Sequence, residues 1–182
     1  MVENVTTRQI AAEVGISQTA LFPYFATRDE MLDALAEEAW VGLSDALDVV
    51  ARIDDAPAEP GLRLRALLAA FMRYWLRHAD DFRVVFMRRA MRAGSQELAD
   101  SPGRKLLERL AERVKAGVKA GSVREIHCCH TTALSMWSAA AGIVSLRLAY
   151  PDFPWPPEEE HIEATLDMIF NGCGRAQPPA GV

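Results

Sequence analysis

A chain of 182 residues, 50% of them hydrophobic, carries enough apolar surface for a real core, which excludes global disorder. Its formal net charge of −5 argues against a protein that coats nucleic acid regardless of sequence. It does not exclude a sequence-specific reader, which needs only a local basic surface.

The opening MVENVTTRQ has neither the basic flank nor the apolar stretch of an export signal, and no apolar run approaches the ~20 residues of a membrane span. The cytoplasm is therefore the expected compartment, with no membrane partner. Cys128, Cys129 and Cys173 are odd in number and two are adjacent, so reduced thiols are expected rather than a bridge.

The pattern is all-α, without sustained period-two alternation or a solenoid-length repeat. Thr6-Thr7-Arg8-Gln9 reads as a capping box opening a short helix to Val14. Gly15 supplies a turn, and Ser17 caps a second helix with Leu21, Phe22 and Phe25 on one face. Pro23 falls inside it and should distort its last turn. Thr27-Arg28-Asp29-Glu30 is a second capping box, opening a long helix with Leu32, Leu35, Ala39, Leu43, Leu47 and Val50 on its apolar face.

Residues 54–61, DDAPAEPG, read as a linker, which places a headpiece with its connecting helix at 1–50 and a helical body at 51–182. In the body, helices are expected at about 61–78 (Leu64, Leu67, Leu68, Phe71, Trp75) and about 80–92 (Phe82, Val85, Phe86, Ala90). Ser101-Pro102 is an N-cap followed by an N1 proline, opening a helix that ends near Gly121. A long apolar helix follows over 127–149, then the proline-rich loop YPDFPWPP, then a last helix opened by Glu158, Glu159 and Glu160. The tail from Gly172 should be frayed.

Residues 6–35 carry the sharpest signal. Two short helices around Gly15-Ile16-Ser17 form a helix-turn-helix. Small Ala11 lets the helices approach, and Ile16 should plug the space between them. Gln18, Thr19 and Ala20 are the first exposed residues of the second helix, placed where a major groove admits a recognition helix. Glutamine can pair with adenine, and threonine or alanine can contact a thymine methyl.

The run from Ile10-Ala11 through Val14-Gly15-Ile16-Ser17, Leu21-Phe22, Tyr24-Phe25 and Arg28 to Met31-Leu32 resembles the DNA-binding signature of the tetracycline-repressor (TetR) family. Trp137, Gly142 and Leu146 are similar to a pattern in the ligand domain of one TetR subgroup. The resemblance implies a transcriptional regulator, more often a repressor. It would bind a pseudo-palindromic double-stranded DNA operator as a homodimer and be released by a small-molecule effector. It also implies that Gln18, Thr19 and Ala20 face bases, and that Thr6, Ser17, Tyr24, Thr27 and Arg28 touch phosphates, with Leu21, Phe22 and Phe25 as core.

The family has a further amphipathic helix of about twenty residues ahead of this motif, whereas Met1 stands five residues before Thr6. The headpiece is thus expected without that helix, with Val5, Ile10, Val14, Phe22 and Phe25 short of a packing partner. Residues 1–45 also hold only Arg8 and Arg28 against eight carboxylates. The alternative is accordingly a helical dimeric ligand-binding or interaction protein whose DNA binding is impaired.

Phe71, Trp75, Phe82, Phe86, Met87, Met136 and Trp137 are candidates for an effector pocket. Leu134, Trp137, Ala141, Val144 and Leu148, with Ile162, Leu166 and Ile169, are candidates for a dimer seam of the four-helix kind. His127-Cys128-Cys129-His130 offers metal ligands but lacks a second pair, so no metal and no cofactor is expected. No phosphate loop, nucleophile elbow or zinc-protease motif is present, and no enzyme is expected.

Overall fold

The structure, a computed structural model, describes residues 6–53, 59–88, 101–124 and 127–172, apart from the side chains of Ile53, Met87 and Arg88. All regular structure among them is helical.

Helix α1 (Thr7–Val14) is opened as expected. Thr6 Oγ1 accepts the Gln9 amide at 3.2 Å, and Gln9 Oε1 accepts the Thr6 amide at 2.9 Å. Gly15, at φ 77°, ends the helix in the left-handed region that a Cβ disfavours. Ser17 Oγ then accepts the Ala20 amide at 3.1 Å to open α2 (Gln18–Leu21).

Helix α2 stops after four residues instead of running through Pro23. Phe22 itself keeps helical dihedrals, φ −58° and ψ −32°, but Pro23 has no N–H to continue the ladder, so the regular helix ends there. The second capping box is half-formed: Thr27 Oγ1 accepts the Glu30 amide at 3.1 Å, but the Glu30 carboxylate reaches past Thr27 to the Ala26 amide at 2.8 Å.

Helix α3 (Arg28–Ile53) runs from the headpiece into the body. It buries Leu32, Ala36, Ala39, Trp40 and Leu43, a stripe at spacings of three and four. Leu35 lies off that stripe and is 46% exposed, contrary to expectation. The division expected at 50/51 falls inside α3, which belongs to both parts.

Helix α4 (Pro60–Arg77) is the central element. Pro60 takes its first turn, so Pro60 and Gly61 join the helix instead of the expected linker; residues 54–58 lie outside the described residues. Trp75 is fully buried, with Trp40, Phe82 and Phe86 all edge-on to it at 5.5 to 5.8 Å between ring centroids. Its indole N–H finds no hydrogen-bond partner among the described residues.

The helix expected at about 80–92 is a short α5 (Ala79–Phe82) followed by a π-helical turn, Arg83–Arg88; Ala90 and Arg92 lie outside the described residues. Ser101 caps α6 (Pro102–Lys119) as expected, its Oγ accepting the Arg104 amide at 3.3 Å. Helices α7 (Cys129–Ala149) and α8 (Glu158–Asn171) complete the bundle. Helix α4 packs against α3, α5, α6, α7 and α8. Ion pairs tie α4 to α8: Arg65 to Glu163 at 2.6 Å and Asp167 at 3.0 Å, and Arg73 to Glu159 at 2.6 Å. Such exposed pairs fix orientation more than they add stability.

Candidate nucleic-acid interface and effector cavity

The candidate DNA-reading residues share the short α1–α2 unit. Thr6 and Ser17, the two N-caps, are exposed, as are Thr19, Ala20 and Thr27. Tyr24 is 79% exposed, and Arg28 is half-buried at the start of α3. Gln18 differs from a free recognition side chain. It is half-buried, and its Nε2 donates to Thr7 Oγ1 at 3.1 Å, which stitches α2 to α1. Reading a base with this amide requires that bond to be exchanged.

The packing of this unit is thinner than its sequence suggests. Ala11 is buried as expected, but Ile16 is 41% exposed and does not plug the turn. Phe22, expected in the core, is 50% exposed; Leu21 and Phe25 are half-buried. Phe22 keeps helical dihedrals and follows Leu21 directly, and adjacent residues of a helix do not share a face. Val14 is 67% exposed, Ile10 is half-buried, and Val5 lies outside the described residues.

The aromatic candidates do not line one pocket. Trp75 and Phe82 are 0% and 1% exposed and packed with Phe86 into a solid cluster. Met136 lines a separate open groove of about 610 Å³ with Val123, Ile169 and Phe170. The Met87 side chain lies outside the described residues.

Phe71 and Trp137 do face a cavity, of about 80 Å³, between α3, α4, α6 and α7. Its other walls are not evident from the sequence: Trp40, Leu47 and Ala51 from α3, Leu67 and Leu68 from α4, and Leu106, Leu107 and Leu110 from α6. Arg109 and Arg113 of α6 also line it. The signal that could have found them is Trp40 itself, a tryptophan on the helix leaving the headpiece, three and seven residues from Leu43 and Leu47. A Cβ added at Gly103 would lie 2.9 Å from the Trp40 ring, so Gly103 lets α6 close over Trp40.

The dimer candidates need a correction. Val144, Ile162 and Leu166 are fully buried within the single chain, and Trp137, Ala141, Leu148 and Ile169 pack against its core. None of the first three can meet a partner. The heptad-like spacing is real, but it marks the face that α7 and α8 turn inward. The opposite face of α7 carries Ser138, Gly142, Leu146 and Ala149, flanked by Leu134, and α8 leaves Ala164 and Met168 exposed. Helix α7 is also more apolar than its sequence reading allows. By length and composition alone it could cross a membrane, yet only 22% of its most apolar window is buried.

Among the described residues no group of three His, Cys, Asp or Glu side chains is gathered as a metal site. Cys128 Sγ lies 3.2 Å from Thr131 Oγ1, and that contact holds the thiol below its usual range.

Two family descriptions match this chain. "Bacterial regulatory proteins, tetR family" covers residues 2–35, and "Tetracyclin repressor-like, C-terminal domain" covers residues 64–169. The chain belongs to the TetR family of transcriptional regulators. No curated protein sequence matches it. Among solved structures it is similar to a protein of unknown function from a Rhodococcus species, at 26% identity and a TM-score of 0.75 over 94% of this chain and 86% of that one. It is also similar to the regulator PfmR from Thermus thermophilus, at 22% identity and a TM-score of 0.73 over 95% and 91% of the two chains. AibR in complex with isovaleryl coenzyme A and operator DNA matches at 19% identity and a TM-score of 0.75, over 92% and 88%.

Proposed function

We propose that this regulator binds a pseudo-palindromic operator as a homodimer through the α1–α2 headpieces, and that a small apolar effector entering the α3–α4–α6–α7 cavity releases it. One observation carries the reading. Helix α3 starts beside the recognition residues and, through Trp40, Leu47 and Ala51, forms a wall of the cavity. A molecule wedged against that wall changes the angle at which α3 leaves the body, and hence the spacing of two headpieces. AibR, of the same fold, has been seen with both an acyl thioester and operator DNA.

Gln18, Thr19 and Ala20 would read bases, with Thr6, Ser17, Tyr24, Thr27 and Arg28 on the phosphates. The reading assigns 1–50 to DNA recognition and connection and 51–182 to effector binding and pairing, in the cytoplasm where the DNA lies, with no catalytic role. The dimer seam is the outer face of α7 and α8. Small Ser138, Gly142 and Ala149 would let a partner helix approach closely, and pairing would cover the apolar surface that the single chain leaves open.

The test uses duplexes selected from a random pool, a mobility shift at two salt concentrations, and light scattering. Selected sites should be palindromic and their affinity should fall with salt. Nothing lies within 4 Å of a Cβ built at Gly142, so Gly142→Glu leaves the single-chain fold intact while placing charge in the seam. It should give a folded monomer that no longer shifts the DNA. A monomeric unmodified chain at micromolar concentration, or no enrichment of any sequence, overturns the proposal.

A further inference from the structure

The effector cavity is almost wholly apolar, yet one of its lining side chains is a cation with no neutralising group among the described residues. Arg113 is half-buried on α6 and lines the cavity beside Leu110 and Trp137. The other lining cation, Arg109, is already engaged, since it holds Asp48 of α3 and lies 3.4 Å from Ser44 Oγ. The nearby carboxylates on α6 are committed as well: Glu108 to Arg104 at 3.2 Å and Glu112 to Lys115 at 3.7 Å. Arg113 makes no ion pair or hydrogen bond with any described residue.

A guanidinium held partly out of water, with five donors and no acceptor, is costly unless an anion arrives to meet it. An arginine stem can also lie on apolar surface with its head in solvent, but it then selects nothing. The volume adds a second constraint. A cavity of about 80 Å³ is half the ~150 Å³ void that admits benzene, which leaves room for an apolar part of about three or four carbons.

Resting on the reading of this cavity as the effector site, we propose that the effector is a compact apolar anion. Its short hydrocarbon end would sit between Trp40, Leu67, Phe71 and Leu107, and its anionic group would be paired by Arg113 at the α6 edge. The anion can be the molecule's own carboxylate or the phosphates of a carrier to which a short acyl group is attached. Both present the same chemistry to Arg113.

The experiment titrates butyrate, butyryl coenzyme A and the neutral isostere 1-butanol into the full chain, following tryptophan emission from the cavity-lining Trp40 and Trp137. At least one anionic probe should bind about tenfold more tightly than 1-butanol, as a charge-assisted hydrogen bond to a carboxylate or phosphate would give. In Arg113→Gln that preference should vanish while 1-butanol binding stays, and Arg113→Lys should restore part of it. Butyrate binding places the anion on the chain itself; binding of the thioester alone places it on a carrier.

Equal binding of anion and alcohol, or a preference that survives Arg113→Gln, overturns the anion assignment and leaves the cavity as an effector site. If no probe binds, the anion assignment fails. If Leu107→Trp, which fills the cavity, then also leaves DNA release by a crude pool of cell metabolites unchanged, the cavity reading fails with it.

Discussion

The α1–α2 headpiece and the α3–α4–α6–α7 body are held together by different physics. In α1 and α2 only Ala11 is buried, and the geometry is set by hydrogen bonds three residues apart in sequence, at Thr6 with Gln9 and at Ser17 with Ala20. In the body, Trp75, Phe82, Leu43, Leu64 and Met72 lose essentially all contact with water, and their neighbours come from distant helices. A surface that must exchange partners with DNA gains from being set by local caps, which keep its shape without a core. A body in which occupancy is to shift α3, as proposed above, needs elements that move as units, which close packing provides.

The contrast breaks if a headpiece ring matters as much as a body ring. Trp75→Ala should cost about 3–5 kcal/mol, the range for a large aromatic deleted from a closed core, and should unfold much of the chain at 37 °C. Trp75→Phe should cost far less, because it keeps most of the buried area and removes an indole N–H that has no partner among the described residues. Phe22→Ala, at a ring half exposed to water, should cost no more than about 1 kcal/mol. Urea denaturation of the three variants decides it. A Phe22→Ala loss comparable to Trp75→Ala would mean that the headpiece has a core of its own.

A smaller effect sharpens the same comparison. Thr6→Ala removes the Oγ1 that accepts the Gln9 amide, leaving only the Thr6 amide bond to Gln9 Oε1, and Ser17→Ala removes the α2 cap, each at about 1 kcal/mol of local stability. Hydrogen exchange should quicken for the Gln9 and Ala20 amides while protection in α4 is unchanged. DNA affinity should fall with it, since fewer molecules hold the reading geometry. If α4 exchange accelerates equally, headpiece and body unfold as one and the division is wrong.

The same physics decides what the sequence makes legible. Local caps are written in adjacent residues, so Thr6-Gln9, Ser17 and Ser101-Pro102 can be read from the sequence directly. The all-helical class and the family follow from the same kind of signal. The end of α2 is less legible because Pro23 outweighs the apolar face at Phe22. The lining of the cavity and the inward packing of α7 and α8 are less legible for a different reason. Periodicity says that Val144, Ile162 and Leu166 share an apolar face, but not whether that face meets its own chain or another copy. Likewise, the density of aromatic residues points to Trp75 and Phe82, the most tightly packed rings. The actual void lies where Trp40 meets α6 across Gly103, a long-range contact that no local window contains.

The smallest expected effect lies on α8, at the far edge of the body, where a histidine couples the proline-rich loop to the bundle. Arg147 donates to Pro156 O at 3.0 Å and approaches His161 Nδ1 at 3.3 Å, while Trp155 stacks on the imidazole at 5.5 Å. An arginine can donate to Nδ1 only while that nitrogen is unprotonated. Burial first, and the Arg147 charge second, hold His161 below its usual value of 6.5. Between the depressed folded value and 6.5 the unfolded chain therefore binds more protons than the folded one, so stability rises with pH through that window. It is complete above about 6.5 and is lost as the pH falls below it. The ring is only partly buried and solvent screens the charge, so the thermal midpoint should drop by no more than ~2 °C between about pH 7.5 and 5.5 on this account. The Glu159–Arg73 pair titrates separately, because Glu159 is held below 4.5 and its contribution is lost only on further acidification. His161→Gln keeps a side chain able to accept from Arg147 and removes the titration. Its midpoint should therefore be flatter than that of the unmodified chain over about pH 5.5–7.5, and parallel to it below about 4.5. Parallel curves over the upper window would show that His161 carries no part of the pH response.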